Sequence, residues 1–364
     1  MKKVKIKLHW QILIALILAV LFGYFVPSGV KYVSWIGDIF LRALKMIIIP
    51  LVFSSIISGV SSIGGGKNLG RLGIKTLFYY LATSTLAIVT GLTAVNLIKP
   101  GVGVDLGFSK SVEGLEEHAG SVRDIFYRLI PDNVIDVMAR GEILPVIFFA
   151  ILFGYFITQV TKKYQETLST FFDAVFEVMM KLTLFIIRFT PLGIFGIVSA
   201  EVARNSENLA SIAGSLAIYS LCVVAALLFH AFVSLPLIVR VIGKARPFSH
   251  FRNMATPLLT AFSTSSSSAT LPLTMEALEH NSGVSNKISS FTLPLGATIN
   301  MDGTALYECV AAMFIAQAYG VDLTFGQQIL VVVTALLASI GAAGIPMAGL
   351  VMITVVLTAV GLPL

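Results

Sequence analysis

Apolar stretches long enough to cross a membrane, separated by short basic loops, dominate the sequence. A helix needs about 20 mostly apolar residues to span a bilayer core. Six stretches have this character: residues 10–26, 46–66, 76–100, 143–161, 168–200 and 209–239. The stretch 168–200 differs because it carries four charged residues, Asp173, Glu177, Lys181 and Arg188. We expect one helix there that faces protein or water along one side.

The first stretch has two interpretations. A basic start followed by an apolar run is also typical of a cleaved signal peptide. Residues 10–26 form a long run without a small-residue cleavage site, and the run ends just before Pro27. We interpret it as the first transmembrane helix.

The loops between the stretches predict the orientation. Basic residues collect on the cytoplasmic side of membrane proteins. A cytoplasmic N-terminus places these residues there: Lys2, Lys3, Lys5, Lys7, Lys67, Arg71, Lys75, Lys162, Lys163, Lys244, Arg246, Arg252 and Lys287. The same count places the segment 101–142, which is more acidic than basic, outside. Both signals predict a multi-pass protein with its N-terminus in the cytoplasm.

Two later stretches predict re-entrant helical hairpins. The run STSSSSAT at 263–270 divides the apolar stretch 257–273 into two short arms. A polar tip between such arms is tolerated at membrane depth where protein or water covers its backbone. Residues 323–364 contain no Asp, Glu, Lys, Arg or His and are broken by GAAGIP at 341–346. One helix of that length would exceed a bilayer, so we predict a second hairpin.

Between the hairpins, residues 289–319 predict a helix with NMDGT (300–304) at its centre. An aspartate at membrane depth is costly without a partner, so Asp302 is a candidate functional residue. Gly303 is expected to permit local unwinding, which frees backbone carbonyls. Such carbonyls, with the oxygens of Asn300 and Asp302, suit a hard cation such as Na⁺. The alternative is an Asp302 that serves helix packing alone.

Composition narrows the classes of function. Hydrophobic residues make up 56% of the chain and charged ones 12%, against roughly 25% charged in soluble domains. This excludes a disordered chain, a collagen and a secreted disulfide scaffold. The net charge of +6 comes from scattered loop residues, which favours an anionic membrane surface over nucleic acid. Cys222 and Cys309 lie in apolar stretches and are expected to be small buried hydrophobes.

The serine run is compatible with three classes of function. Its hydroxyls and exposed amides suit a carboxylate, as in a transporter whose paired interrupted segments form the binding site. A protease nucleophile would need a base within reach, and neither His230 nor His280 has such a context. Polar re-entrant loops also line channels. The embedded Asp302 and two unlike hairpins favour transport, and we predict that the chain is not an enzyme.

Three motifs resemble the dicarboxylate/amino acid:cation symporters, the glutamate transporter family that includes the excitatory amino acid transporters and archaeal homologues. They are SSSSATLP at 265–272, NMDGT at 300–304 and SIGAAGIP at 339–346. The likeness covers essentially the whole chain in order and spacing. It implies the glutamate-transporter fold and a homotrimer in which each protomer moves a transport domain past a fixed scaffold, as an elevator.

The resemblance also divides the chain. Scaffold helices 1 and 2 occupy residues 1–70, helix 3 of the transport domain 71–100, an extracellular segment 101–142, and scaffold helices 4 and 5 residues 143–205. Residues 206–364 complete the transport domain. They hold helix 6, a first hairpin (248–282), the broken helix 7 (286–319) and a second hairpin (323–362).

Family contacts carry over to two groups of residues. The substrate-binding residues implied are Ser265, Ser266, Ser267, Thr304, Ile345, Pro346, Met347, Ala348 and Gly349. The Na⁺ ligands implied are Tyr80, Thr83, Ser84, Gly296, Thr298, Asn300, Met301, Asp302, Ser339, Ile340 and Ala342. Without the family, Thr83 and Ser84 also fit hydroxyls that only pack helices together.

Departures from the family pattern bear on substrate and coupling. Ser265 and Glu308 match the animal glutamate transporters rather than the archaeal homologues. Ala269 stands where dicarboxylate members usually have an acidic residue, which favours amino acids. On one helix Glu308 would share a side with Thr304 and Asn300, and burial favours the uncharged form of a carboxyl. The animal-type match implies a role of Glu308 in H⁺ and K⁺ coupling; the alternative is a permanently neutral, structural glutamate.

The resemblance implies an eighth helix with further substrate and sodium ligands, which we expect after residue 364 and which the sequence lacks. We predict a Na⁺-coupled symporter of glutamate or aspartate in a prokaryotic cytoplasmic membrane. Its partners would be the amino acid, lipid and copies of itself, and not nucleic acid. The alternatives are a symporter of neutral amino acids or C4-dicarboxylates in the same family, and a channel-like or non-transporting form without the last helix.

Overall fold

The computed structural model describes residues 8–62, 67–103, 130–206, 209–341 and 348–362. Every regular element in these ranges is helical, which confirms the predicted all-α class. The α-helices are α1 (Leu8–Phe25), α2 (Ser34–Ser62), α3 (Lys67–Ile98), α4 (Val134–Arg140), α5 (Ile143–Ile157), α6 (Lys162–Ile187), α7 (Thr190–Arg204), α8 (Leu209–Phe229), α9 (Leu235–Val241), α10 (Pro247–Asn253), α11 (Ala255–Thr264), α12 (Ser267–Ser282), α13 (Asn286–Ile299), α14 (Asp302–Ala318), α15 (Phe325–Gly341) and α16 (Ala348–Ala359). A 3₁₀ turn (Pro27–Tyr32) follows α1, and a π-helical turn (His230–Ser234) joins α8 to α9.

Within the described residues, three helices are long and apolar enough to cross a membrane. They are Ser34–Ser61, Leu72–Ile98 and Leu209–Val241, and the bent pair α6 and α7 makes a fourth if it counts as one span. The helix α2 begins at Ser34, well before the predicted start at residue 46, and includes Asp38, Arg42 and Lys45. Long charged side chains near a helix end reach the membrane interface, so a charge does not mark the end of a membrane helix.

The prediction of one helix over residues 168–200 is wrong. The chain forms two helices there, α6 and α7, with an angle of 52° between them. The helical ladder stops after Ile187 and restarts at Thr190, with Pro191 in the first turn of α7. Proline has no amide hydrogen to donate to the carbonyl of Ile187, so the first helix ends before it.

Close helix packing through glycines joins α1 and α2 to α7. A Cβ atom added at Gly23 would lie 2.6 Å from the carbonyl oxygen of Ser199, and one at Gly196 would lie 2.6 Å from the amide nitrogen of Gly37. Small residues let helix backbones approach in this way where lipid supplies no hydrophobic drive for association. The helix α2 also packs against α5 and α6.

The helix α14 lies at the centre of a second set of contacts. It packs against α3, α8, α15 and α16, and most of its side chains from Ala305 to Ala316 are buried. The helices α15 and α16 pack against each other and also reach α2 and α5. The hydrophobic core therefore runs without interruption from α2 through α14 to α16.

The first hairpin consists of α11 and α12, which pack against each other on either side of Ser265 and Ser266. Its base is closed by a pair of amides. Asn253 Nδ2 donates to the carbonyl of Asn281 at 2.8 Å, and Asn281 Nδ2 donates to the carbonyl of Asn253 at 3.2 Å. The short helix α10 precedes the two arms, so the predicted segment 248–282 contains three helices.

Candidate functional site

A gap of two residues separates α13 from α14. Asn300 (φ −100°, ψ 86°) and Met301 (φ −116°, ψ 61°) leave the helical conformation, and the helix resumes at Asp302. The expectation that Gly303 unwinds the helix is wrong, because Gly303 is already helical and its φ is not positive. Asp302 lies in the first turn of α14, where the partial positive charge of a helix N-terminus favours a carboxylate.

Oxygen and nitrogen atoms from α3 and from the gap surround the carboxylate of Asp302. Ser84 Oγ donates to Asp302 Oδ1 at 2.6 Å, and Asn300 Nδ2 donates to the same oxygen at 2.7 Å. Thr83 Oγ1 lies 3.4 Å from Oδ1 and accepts a hydrogen bond from Asn300 Nδ2 at 3.0 Å. The predicted residues Thr83, Ser84, Asn300 and Asp302 therefore form one connected cluster.

The second carboxylate oxygen of Asp302 has a partner that the sequence did not indicate. His230 Nε2 lies 3.1 Å from Asp302 Oδ2, and the imidazole is buried. His230 begins the π-helical turn, where the amide of Leu235 donates to the carbonyl of His230. Pro236 follows directly and cannot complete a regular helical ladder. The available signal was a histidine inside an apolar span, which by default indicates a functional partner.

Tyr80 takes part through its backbone rather than through its hydroxyl. The hydroxyl donates to the carbonyl of Thr292 at 2.7 Å, whereas the carbonyl of Tyr80 lies 3.5 Å from Asn300 Nδ2. Gly296 makes room for the ring, since a Cβ atom there would lie 2.7 Å from the Tyr80 hydroxyl. Its own carbonyl accepts a hydrogen bond from the amide of Asn300 at 3.0 Å. Tyr80 thus fixes α13 against α3 beside the cluster.

The tip of the first hairpin and the gap in the broken helix line one cavity of about 300 Å³. This is the lower end of the range for sites that bind small molecules. Ser265, the first residue after α11, adopts a left-handed conformation (φ 51°, ψ 33°). The lining residues are Ala261, Ser265, Ser266, Ser267, Asn300, Met301, Asp302, Gly303 and Thr304. All four predicted substrate residues of the first hairpin and α14 therefore face the same space as Asp302.

The second hairpin approaches this cavity at its later arm. A Cβ atom added at Gly349 would lie 3.4 Å from Thr304 Cγ2, so Gly349 is a neighbour of the cavity lining. Ser339 is buried and donates to the carbonyl of Leu336 at 2.9 Å, and Ile340 packs beside Tyr80.

Some predicted residues lie outside the described residues, namely Ala342, Ile345, Pro346 and Met347. Ala348 begins α16 and Thr298 lies in α13.

Glu308 is fully buried in α14, and neither carboxyl oxygen has a hydrogen-bond partner among the described residues. It lies one turn after Thr304 on the same helix. The expectation that Asn300 shares this helical face is wrong, because Asn300 precedes the first residue of α14 and does not follow its periodicity. The side chain is enclosed by the helices that pack around α14 rather than lining the cavity.

The chemistry of the Asp302 cluster suits a small hard cation. It offers one carboxylate, two hydroxyls and the carbonyl of Tyr80, which are oxygen ligands of the kind that alkali and alkaline-earth cations prefer. Among the described residues there is no group of three or more His, Cys, Asp and Glu side chains of the kind that holds a transition metal. A carboxylate with a single charge also matches a monovalent cation better than a divalent one.

Comparison with known proteins identifies the family of the chain. The profile of the sodium:dicarboxylate symporter family matches residues 8–364. The chain belongs to this family. The chain is 35% identical to a proton/glutamate-aspartate symporter of Escherichia coli K12, over all of this chain and 86% of that protein. It is 36% identical to a proton/sodium-glutamate symport protein of Geobacillus stearothermophilus, over 99% of this chain and 86% of that protein.

Animal proteins are about as similar to this chain as the two bacterial proteins are. An excitatory amino acid transporter 1 of Ambystoma tigrinum is 34% identical over 96% of the chain and 75% of that protein. The family consists of transporters and not of enzymes, which confirms the prediction that the chain is not an enzyme. Membership of this transporter family also confirms the membrane environment that the apolar stretches predicted.

Proposed function

We propose that this family member couples the entry of Na⁺ to the uptake of an acidic amino acid across the cytoplasmic membrane, with its N-terminus in the cytoplasm. The observation that carries the proposal is the position of Asp302. Its carboxylate is bonded to α3 and at the same time lines the cavity at the serine-rich hairpin tip. One residue therefore joins a cation site to a substrate site. The names of the bacterial relatives, which are glutamate symporters, support the choice of substrate.

The substrate carboxylate is proposed to bind at the hairpin tip. The helix α12 begins at Ser267, and the first amides of a helix attract an anion. Ser265, Ser266 and Thr304, which carry hydroxyls, line the same cavity. Such a set recognises a carboxylate by hydrogen bonds without a fixed positive charge, which allows the substrate to leave again.

The cation is proposed to bind beside Asp302 Oδ1, on the side of α3. Ser84 and Thr83 supply hydroxyls there, and the carbonyl of Tyr80 lies within the same cluster. A cation at this point would neutralise the carboxylate and replace the hydrogen atoms that the hydroxyls now direct at it. Further Na⁺ ligands are proposed from the resemblance at Gly296, Thr298, Met301, Ser339, Ile340 and Ala342.

The division into a scaffold and a transport domain, the elevator motion and the homotrimer are part of the proposal. The division is supported by the contacts, because α2 packs with α5, α6 and α7, whereas α14 packs with α3, α8, α15 and α16. Contacts between the two sets run through α13, α15 and α16 on one side and α2 and α5 on the other. The second hairpin, whose predicted tip lies outside the described residues, is proposed as the gate over the substrate.

Uptake of labelled glutamate into proteoliposomes that contain the full-length protein tests the function. We expect uptake with an inward Na⁺ gradient and loss of uptake when choline replaces Na⁺. Thr304→Val removes a hydroxyl that lines the cavity and should raise KM for glutamate about tenfold, the cost of one hydrogen bond in a closed site. Thr260→Val is the matched control, because Thr260 lies on α11 of the same hairpin and does not line the cavity.

Two outcomes would contradict the proposal. Uptake that is equal in Na⁺ and choline would exclude Na⁺ coupling. Neutral amino acids or C4-dicarboxylates could also inhibit glutamate uptake at lower concentrations than unlabelled glutamate and aspartate do. That result would assign a different substrate class and would leave the symport mechanism in place.

A further inference from the structure

A second cavity lies away from the proposed substrate site, between α2, α4 and α16. Its volume is about 530 Å³, which is larger than that of the cavity beside Asp302. The lining residues are Lys45, Met46, Ile48, Ile49, Pro50, Met138, Ala139, Arg140, Gly141, Thr354 and Thr358. We propose that this cavity binds an anionic amphiphile, a molecule with one acyl chain or more and a carboxylate or phosphate headgroup.

The first argument is the position of Lys45. It lies in the first half of the 29-residue helix α2, about 16 Å along the helix axis from Ser34 at 1.5 Å per residue. The residue is exposed in the protein and makes no ion pair with any described residue. A lysine at the charged end of a membrane helix, in one lining with Arg140, reaches the membrane interface, where it attracts the anionic headgroups of amphiphiles.

The second argument is the charge of the cavity as a whole. Arg140 is the other cation of the lining, and its guanidinium already binds Asp136, with Nη2 2.9 Å from Oδ2 and Nε 3.2 Å from Oδ1. Asp136 does not line the cavity, and the lining contains no acidic residue. Among the described residues Lys45 therefore has no opposite charge, and it shares the lining with the guanidinium donors of Arg140 that Asp136 does not occupy.

The third argument is the apolar part of the lining. Met46, Ile48, Ile49 and Met138 provide methyl and methylene surface next to the two cations. Methionine side chains adapt to irregular apolar ligands. A soluble anion such as phosphate would leave this surface in contact with water, whereas an acyl chain covers it. The apolar part of the lining fits an acyl chain and the cationic part fits an anionic headgroup, so the cavity suits an amphiphile better than a free anion.

An occupant would touch both sets of helices described above. Lys45 and Ile49 belong to α2, whereas Thr354 and Thr358 belong to α16, the later arm of the second hairpin. A ligand that contacts both stabilises this relative arrangement over any other in which α2 and α16 separate. This inhibitory role rests on the proposed function, because it assumes the proposed movement of the transport domain past the scaffold; the amphiphile would oppose that movement and would not be a substrate.

Binding of laurate, measured directly on the detergent-purified protein by isothermal titration, tests the site. Lys45→Gln should weaken laurate binding at least about tenfold, as expected for the loss of one charge-assisted hydrogen bond. Lys45→Arg should retain it. Arg42→Gln is the matched control, because Arg42 is exposed on the same helix, one turn earlier, and does not line the cavity. Ala139→Trp should abolish binding by filling the cavity with both cations in place.

Two further measurements separate the sources of the headgroup. Native mass spectrometry from nanodiscs of phosphatidylglycerol and phosphatidylcholine shows whether a phospholipid is retained at the site, and laurate should displace it. Retention of phosphatidylglycerol by wild type and Arg42→Gln, and its loss from Lys45→Gln, would assign a lipid phosphate. Laurate binding without retained lipid would assign a free carboxylate.

The proposal is overturned if Lys45→Gln and Arg42→Gln bind laurate equally well, or if dodecanol binds as tightly as laurate. Because these measurements need no transport, they stand apart from the proposed symport. A protein that binds laurate but shows no Na⁺-dependent uptake would leave the amphiphile site in place and remove only the proposed function.

Discussion

His230 and Asp302 form a pair inside the protein, with Nε2 of the imidazole 3.1 Å from Oδ2 of the carboxylate. The two residues lie far apart in the chain, in the π-helical turn and in the first turn of α14. The other oxygen, Oδ1, accepts hydrogen bonds from Ser84 and Asn300. The two oxygens therefore have different surroundings, and Oδ1 is the one that faces the proposed cation ligands of α3.

Replacement of Asp302 by asparagine should abolish the sodium dependence. The substitution keeps the size of the side chain and removes its charge, and one charged hydrogen-bond acceptor accounts for roughly a 10- to 100-fold change in affinity. Na⁺-dependent stabilisation against heat and Na⁺-dependent uptake should both be lost. Asp173→Asn is the control, because Asp173 bonds Ser58 in the other set of helices. An unchanged sodium dependence in Asp302→Asn would refute the site.

Removal of the imidazole should destabilise the protein through Asp302. In His230→Ala the Oδ2 atom of the partly buried Asp302 carboxylate loses its partner, and the loss of one hydrogen bond costs about 1 kcal/mol. The thermal midpoint in detergent without Na⁺ should fall, whereas His280→Ala, at an exposed position, should leave it unchanged. Equal midpoints for wild type and His230→Ala would show that the pair adds no stability.

A methyl group at Gly296 should disturb the packing between α13 and α3. The added Cβ atom would lie 2.7 Å from the Tyr80 hydroxyl, which itself bonds the carbonyl of Thr292. Overpacking of this kind costs about 1–3 kcal/mol. Gly214→Ala is the matched control, because nothing lies within 4 Å of a Cβ atom there. The midpoint of thermal unfolding should fall for Gly296→Ala and should hold or rise for Gly214→Ala.

Charge-free stretches in the sequence predicted where the membrane helices lie but not how they begin or bend. Apolar composition marks the part of a helix that lies in lipid. It therefore locates the apolar centre of a helix such as α2 and misses the charged first turns from Ser34 to Lys45. The bend between α6 and α7 depends on one missing hydrogen-bond donor at Pro191. An average of hydropathy over many residues does not detect the loss of one hydrogen-bond donor, whereas the path of the backbone changes because of it.

The sequence motifs predicted most of the residues around Asp302, because an embedded carboxylate and neighbouring hydroxyls leave a chemical signature. They did not predict the role of His230, since pairing between distant elements depends on how α8 and α14 pack. They also placed the break at Gly303 on the basis of glycine's freedom. The chain breaks at Asn300 and Met301, where the Asn300 side chain is used in the Asp302 cluster instead.

Acid should weaken the attachment of the first hairpin to the broken helix. Glu279, in the last turn of α12 and outside the spanning helices, accepts hydrogen bonds from Ser289 at 2.5 Å and Asn286 at 2.8 Å. These bonds hold the pKa of the Glu279 carboxyl below its ordinary value of 4.5. A lowered pKa means that the ionised form stabilises the fold above the ordinary pKa and that this contribution is lost as the pH falls through the folded-state pKa.

The pH dependence of the thermal midpoint checks this attachment. Between pH 7 and pH values below the ordinary glutamate pKa of 4.5, wild type should lose more stability than Glu279→Gln. Glu276→Gln is the control, because Glu276 is exposed on the same helix and bonds none of the described residues. Parallel pH profiles for wild type and Glu279→Gln would show that the carboxylate is not involved.

Glu308 is a buried carboxyl without a partner among the residues that the structure describes. It is completely buried in α14, and both of its oxygens lack hydrogen bonds to described residues. An ionised carboxylate in such surroundings costs far more than a neutral one, so the protonated form is the one that fits there. A proton must leave before the side chain can carry charge, which makes Glu308 the proposed residue for coupling to H⁺ and K⁺.

We expect Glu308→Gln to uncouple these ions from uptake while the fold is retained, because glutamine resembles the protonated side chain in shape and charge. Glutamate uptake by the full-length protein in proteoliposomes, with imposed gradients of pH and K⁺, is the measurement. Wild type and the exposed control Glu166→Gln should respond to both gradients, and Glu308→Gln should respond to neither. If wild type and Glu308→Gln respond identically, Glu308 is a permanently neutral structural residue, since only a residue that releases its proton during the cycle can transmit either gradient to the substrate.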